Sequence, residues 1–188
     1  MVTVVCKTVY YVMHVVDPAT GKLLCVSGVT WFNDVAYVVC ENSSVVHKCS
    51  ASADTLSPIG EGIRVEGMRN PSDIIACVNQ LQLYLYIADG DCIRRVSSGH
   101  KPEKWLTNKS TTDRFCFNTL SLKSGRLLVT STEPPRLRLY STENGQQLHC
   151  LQLPEYMRLR HAVETPRGSF VVCYYSRSPV SKLKLLLS

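Results

Sequence analysis

A repeat of about 45 residues constrains this chain more than any other feature of its sequence. Apolar runs begin at Tyr37, Tyr84, Leu128 and Val172, at intervals of 47, 44 and 44 residues. From each of these anchors the chain passes through a few apolar residues, a polar turn and a second alternating segment: 37–40 then 45–49, 84–88 then 92–96, 128–130 then 136–140, 172–174 then 180–184. Short alternating runs bounded by turn residues are the pattern of paired strands, so each unit predicts a β-hairpin. The turns, Glu41-Asn42-Ser43, Asp89-Gly90-Asp91, Glu133-Pro134-Pro135 and Ser176-Arg177-Ser178, are rich in residues that bond their own backbone or tolerate unusual φ.

A further strand-like segment precedes each hairpin (29–32, 73–78, 118–122 and 161–164), and a looser outer segment follows three of them (63–66, 104–106 and 147–153). Four short strands in about 45 residues is the period of a propeller blade. Helical periodicity is weak throughout, which disfavours helix-pair repeats of similar length. The expected fold is therefore all-β: a β-propeller of four-stranded antiparallel blades, about four to five of them. The expected units are 1–27 (partial), 28–67, 68–107, 113–153 and 158–188 (partial). Residues 13–24 repeat the form of 137–148, a strand, a turn closed by Gly21 or Gly145, and a strand. The chain is thus expected to open inside a blade. An incomplete ring, part of a larger propeller, is the favoured reading because an open array exposes strand edges that invite aggregation.

Ten residues past each anchor stand His47, Arg94, Arg138 and Lys182, a position that is basic in every unit. Apolar neighbours flank most of them, so the pattern predicts a wetted basic stripe whose long side chains also cover apolar surface.

Composition narrows the class. Of the 188 residues 45% are hydrophobic and 19% charged, the balance of a folded globular protein. The longest apolar stretches, 9–16 and 183–187, fall short of the ~20 residues of a spanning helix and contain His14 and Lys184, so no membrane association is expected. The nine cysteines are scattered, with no Cys-x-x-Cys pair, and are read as buried free thiols of a reducing, cytoplasmic setting. No metal and no cofactor is expected.

At Tyr86-Ile87-Ala88-Asp89-Gly90-Asp91-Cys92-Ile93-Arg94-Arg95-Val96, preceded by Asn70-Pro71-Ser72-Asp73-Ile74, the chain resembles the NHL repeat family. In that family a proline-led inner strand, an apolar run ending in Ala-Asp, a short polar turn and an Ile-Arg-x-Val segment define one blade. The other units match more loosely, with Asn42, Glu133 and Arg177 in the place of the aspartate. Because NHL propellers include RNA-binding members, the resemblance implies single-stranded RNA as one partner. Trp31 and Trp105 occupy non-equivalent places and are read as core or inter-blade packing.

In propellers the loops leading into the inner strands and the turns within the hairpins gather on one face, and loops on a rigid scaffold are where binding residues concentrate. That face is expected to carry Arg69, Arg114, Arg158 and Arg160, with Asp73, Asn118 and His161 at or near the inner-strand starts. With a net charge of +6, such a rim attracts anionic partners. Glu41, Asp89, Asp91 and Glu133, in the hairpin turns, dilute the field. Three functions stay open: a non-catalytic scaffold for a protein partner, which is favoured; single-stranded RNA binding on the basic rim; and a calcium-dependent lactonase- or esterase-like hydrolase using Asp73 and Asn118 as oxygen ligands. No Gly-x-Ser-x-Gly elbow, phosphate loop or His-x-x-x-His pair is present, so no catalytic residue is assigned, and the hydrolase reading rests on fold analogy.

Overall fold

The alternating segments form strands that stack as separate sheets. The computed structural model describes residues 14–16, 20–52, 55–79, 81–107, 117–175 and 181–186, and among them every regular element is a strand. The first sheet holds β1 (His14–Val16), β2 (Leu23–Phe32), β3 (Val35–Cys40), β4 (Val45–Ser52) and β5 (Thr55–Pro58), with the short β6 (Ile63–Arg64) also on β4. The second runs from β7 (Pro71–Asn79) through β8 (Gln82–Asp89) and β9 (Cys92–Ser97) to β10 (Glu103–Thr107). The third is β11 (Phe117–Lys123), β12 (Arg126–Thr132), β13 (Pro135–Ser141) and β14 (Gln147–Gln152). The fourth is β15 (Arg158–Glu164), β16 (Phe170–Tyr175) and β17 (Ser181–Leu186). All pairings are antiparallel, and the inner strands β2, β7, β11 and β15 lie side by side in that order. This is a β-propeller, as the repeat predicts.

The stacking explains why the second strand of each unit is a continuous apolar run rather than a clean alternation. A strand covered on both faces has no side to give to water. In β8, Leu85 and Ile87 pack toward the first blade with Val39, Val46, Val65, Met68 and Ile74. Tyr86 and Ala88, from the other face of the same strand, join Phe117, Leu120, Leu127 and Val129 of the third blade. β12 repeats the arrangement, with Leu128 turning to Leu159, Ala162 and Val172 of the fourth blade. Val15 of β1 closes over the far side of the first blade, on Ala36, Val38 and Cys49. Each fully buried aliphatic side chain contributes roughly 1.5–3 kcal/mol, so the inter-blade layers are what hold the array together.

Every inner strand carries a register shift near its start: between Val26 and Gly28, Pro71 and Asp73, Phe117 and Leu120, and Leu159 and His161. A bulge adds a residue on one strand and re-aims the side chains around it. In the first two blades the extra residue is a serine whose hydroxyl donates to the neighbouring strand, Ser27 to Val39 O at 3.2 Å and Ser72 to Ala88 O at 3.4 Å. In the fourth blade that place belongs to Arg160.

Several expectations are corrected. The basic stripe is not wetted throughout: His47 and Arg94 are 4% and 6% exposed, because the neighbouring blade covers the face that an isolated hairpin would present to water. Arg138 is half-buried, and the side chain of Lys182, on β17, lies outside the described residues. Trp31 is 52% exposed rather than packed, whereas Trp105 stacks edge-on against Tyr86 of its own blade at 4.8 Å and lies against Gly145 of the third blade, as an inter-blade residue should. The boundary between units at 27/28 falls inside β2, which pairs with β1 through its first residues and with β3 through the rest. The outer edge of the first blade is shared by β5 and β6, where only a single segment at 63–66 is expected. Among the cysteines, Cys40, Cys49, Cys77 and Cys92 are buried free thiols, but Cys150 on β14 is exposed.

Candidate functional site

The local turn chemistry of the second blade builds the best-defined polar structure on the face chosen from the sequence. Asp89 ends β8 and is 5% exposed. Its Oδ1 accepts the backbone N–H groups of Arg69 at 3.1 Å and Asn70 at 2.7 Å. Its Oδ2 accepts from Arg94 Nε at 2.5 Å. Arg94 in turn donates from Nη1 to Glu66 O at 3.0 Å and from Nη2 to Gly67 O. One buried ion pair therefore clamps the whole 66–70 loop that leads into β7. Asp89 does not dilute the rim charge as expected; it is neutralised beneath it. Asp89 and Arg94, two of the positions that carry the NHL resemblance, are the two halves of this clamp.

Above it lies a cleft of about 500 Å³ between the 66–70 loop, the 89–91 turn and Lys104, with Arg69 on its wall. Arg69, Arg158 and Arg160 are all exposed. Arg160, set at the β15 bulge, lays its guanidinium over the Tyr175 ring at 4.5 Å, a contact that restrains a long side chain without removing it from water. Arg114 lies outside the described residues, as does the side chain of Asn118, whose backbone sits at the β11 bulge.

Asp73 and His161 follow their bulges on β7 and β15. Asp73 bridges two blades: Oδ2 accepts Leu120 N at 2.8 Å and Oδ1 accepts Ile74 N at 2.9 Å. Burial raises its pKa from 3.8 to about 6 despite those two bonds, which act the other way. His161 stands at an exposed position, yet the protein around its ring withholds part of the hydration of the imidazolium and lowers its pKa from 6.5. Among the described residues no group of three or more His, Cys, Asp and Glu is placed to hold a metal ion.

The Asp73 shift carries a stability prediction. Its folded pKa is raised, so the folded state holds this proton more tightly than the unfolded chain does. The contribution is complete below pH 3.8 and is lost as pH rises through about 6. Asp73→Asn removes the titration, and the fall in unfolding free energy between about pH 4 and pH 7 is expected to shrink by roughly 2–3 kcal/mol. Urea denaturation at the two pH values measures it. An unchanged difference would place the titration elsewhere.

No protein family matches the sequence, and no curated protein does. Solved structures match its shape. Hydrazine synthase of Kuenenia stuttgartiensis is 14% identical, with a TM-score of 0.61, over 90% of this chain and 54% of its own. A crystal structure described as a putative 6-phosphogluconolactonase from Bacteroides uniformis is 13% identical, with a TM-score of 0.60, over 89% and 55%. YCF48 bound to D1 peptide is 13% identical, with a TM-score of 0.52, over 81% and 48%. The chain spans about half the length of these proteins, and at such identities what it shares with them is the β-propeller fold.

Proposed function

We propose that this protein is a non-catalytic binding scaffold, of the NHL type, that engages an acidic surface of a protein partner through the loop-bearing face of its blades. The observation that carries the reading is the division of labour on that face. The polar groups set deep in it, Asp73, Asp89 and Arg94, are committed to backbone groups of neighbouring loops and strands. Of the cations that reach water, Arg69 stands on the loop those bonds hold still, and Arg158 and Arg160 stand on β15, Arg160 laid over the Tyr175 ring. Pre-placed charge on a rigid support raises association rate and selects partners by sign. A propeller of the same fold, YCF48, was solved bound to a peptide, which supports a protein partner as the class.

The test is charge reversal. Arg69→Glu, Arg158→Glu and Arg160→Glu together are expected to reduce cross-linked capture of specific partners at least about tenfold, since each rim charge affects association while leaving the clamp intact. The melting temperature should stay close to that of the parent. Tight, steeply salt-dependent binding of an oligouridine lost in the same variant would replace a protein partner by RNA. A calcium-induced rise in melting temperature abolished by Asp73→Ala would instead favour a metal-dependent hydrolase.

A further inference from the structure

The end of the blades opposite this rim carries a second cleft of about 500 Å³, between the third and fourth blades. It forms where the β11–β12 turn, the turn after β15 and the start of β14 converge. Glu164, at the end of β15, has a side chain only 4% exposed, and its Oε1 accepts from Arg126 Nη2 at 2.6 Å and lies 3.6 Å from Lys123 Nζ. Lys123 Nζ also donates to Thr165 O. Two full cations thus meet one carboxylate, with His149 exposed beside them. Arg126 remains 39% exposed, and a guanidinium has five N–H donors in a fork that matches a carboxylate. The rest of the lining includes apolar Leu139, Leu148 and Phe170, the last paired with Glu164 across the β15–β16 ladder.

One further feature selects among anions. Glu164 Oε2 is buried and has no hydrogen-bond partner among the described residues, and the same holds for Thr165 Oγ1 next to it. Buried polar atoms in folded proteins are nearly always paired. Glu164 lines a cleft of the size that takes small ligands, and its Oε2 stands there as an acceptor without a donor.

We propose that this cleft binds the carboxylate of an N-acylated apolar amino acid, either as a free molecule or as the last residue of a peptide. The carboxylate pairs with Arg126 and Lys123, the Glu164 carboxylate turns its buried Oε2 toward the cleft to accept the amide N–H, and the side chain lies on Leu139, Leu148 and Phe170. An inorganic anion would leave both the acceptor and the apolar lining unused, and a simple branched acid would leave the acceptor unused. The site is separate from the cationic rim, so reversing Arg69, Arg158 and Arg160 leaves it unchanged.

Titration of the whole protein, followed by NMR or heat, tests this with N-acetyl-leucine, N-acetyl-leucinamide and 4-methylpentanoate. N-acetyl-leucine is expected to bind, and each of the other two to bind about tenfold more weakly or worse, since N-acetyl-leucinamide lacks the carboxylate that pairs with Arg126 and Lys123 and 4-methylpentanoate lacks the N–H that donates to Glu164. A peptide ending in Leu, compared with its C-terminal amide, identifies the source. Binding of the peptide acid at least as tight as that of N-acetyl-leucine points to a chain end, and binding of N-acetyl-leucine alone points to a free molecule. Arg126→Gln should abolish binding. Should that variant fail to fold with Glu164 left partly uncompensated, Leu148→Asp, at a 48% exposed position on β14, sets a like charge beside the ligand and should abolish it as well. Equal binding of acid and amide, no binding of N-acetyl-leucine, or full binding by folded Leu148→Asp overturns the proposal.

Discussion

Arg94→Met is expected to lower the unfolding free energy by about 3–5 kcal/mol, the largest loss of any single side-chain replacement on the rim face. The reason is what it leaves behind. Asp89, 5% exposed, would keep its charge and its two backbone donors but lose the guanidinium beneath it, and Glu66 O and Gly67 O would lose their donors. An uncompensated buried carboxylate is far worse than a missing pair. The double variant Asp89→Asn with Arg94→Met removes that charge and is expected to be more stable than Arg94→Met alone, a coupling that a double-mutant cycle in urea resolves. Arg94→Lys keeps the charge but not the planar fork, so it should recover only part of the loss. Hydrogen exchange at the amides of Arg69 and Asn70, both held by Asp89, should accelerate in parallel. A loss under about 1 kcal/mol for Arg94→Met would mean that the 66–70 loop is held by other means.

The second large effect concerns Gly28, on the inner strand β2 just past its bulge. A Cβ there would lie 2.7 Å from Asp73 Cα, 2.8 Å from Ile74 N and 3.0 Å from Asp73 C. These are backbone atoms of the neighbouring inner strand, and no rotamer change relieves them. Even Gly28→Ala must push β2 away from β7, straining the Thr30 Oγ1 bond to Ala76 N and the layer formed by Val39, Ile74, Leu85 and Ile87. A loss of about 3 kcal/mol or more is expected, at the upper end of overpacking. Gly90 supplies the control: with φ at +61° and, among the described residues beyond its chain neighbours, no atom within 4 Å of the place a methyl would take, Gly90→Ala is expected to lose only about 1 kcal/mol, from backbone conformation alone. Thermal melts of both variants distinguish packing from φ strain. If Gly28→Ala melts no lower than Gly90→Ala, the inner strands are free to separate and the close contact is unimportant.

The hairpins were legible because everything that makes them is local. The run ending at Cys40 and the one starting at Val45 become β3 and β4, those at 84–88 and 92–96 become β8 and β9, and the turns between them sit where Asn, Asp and Gly permit. Asn42 and Gly90 take positive φ at those turns. For the same reason β7, β11 and β15 lie within three residues of the expected 73–78, 118–122 and 161–164, whereas β2 begins six residues before the expected 29, and the bulges leave no mark on a pattern of period two.

The site was legible only in part. Arg69, Arg158 and Arg160 are exposed where loop reasoning puts them, but Asp89 and Arg94, read as surface charges, form the buried clamp. Their five-residue separation across a turn is visible in the sequence; that the neighbouring blade closes over them is not. The pairing of Lys123 and Arg126 with Glu164 spans about forty residues and two blades, and nothing near any of the three announces it. What the sequence determined by itself is the strand, the turn and the period, because hydrophobic alternation and turn chemistry act within a few residues. The tertiary structure alone decided which face of each strand is dry and which charges are buried, because that depends on the blade stacked alongside, and the same strand shows a wet face to water or a dry one to its neighbour.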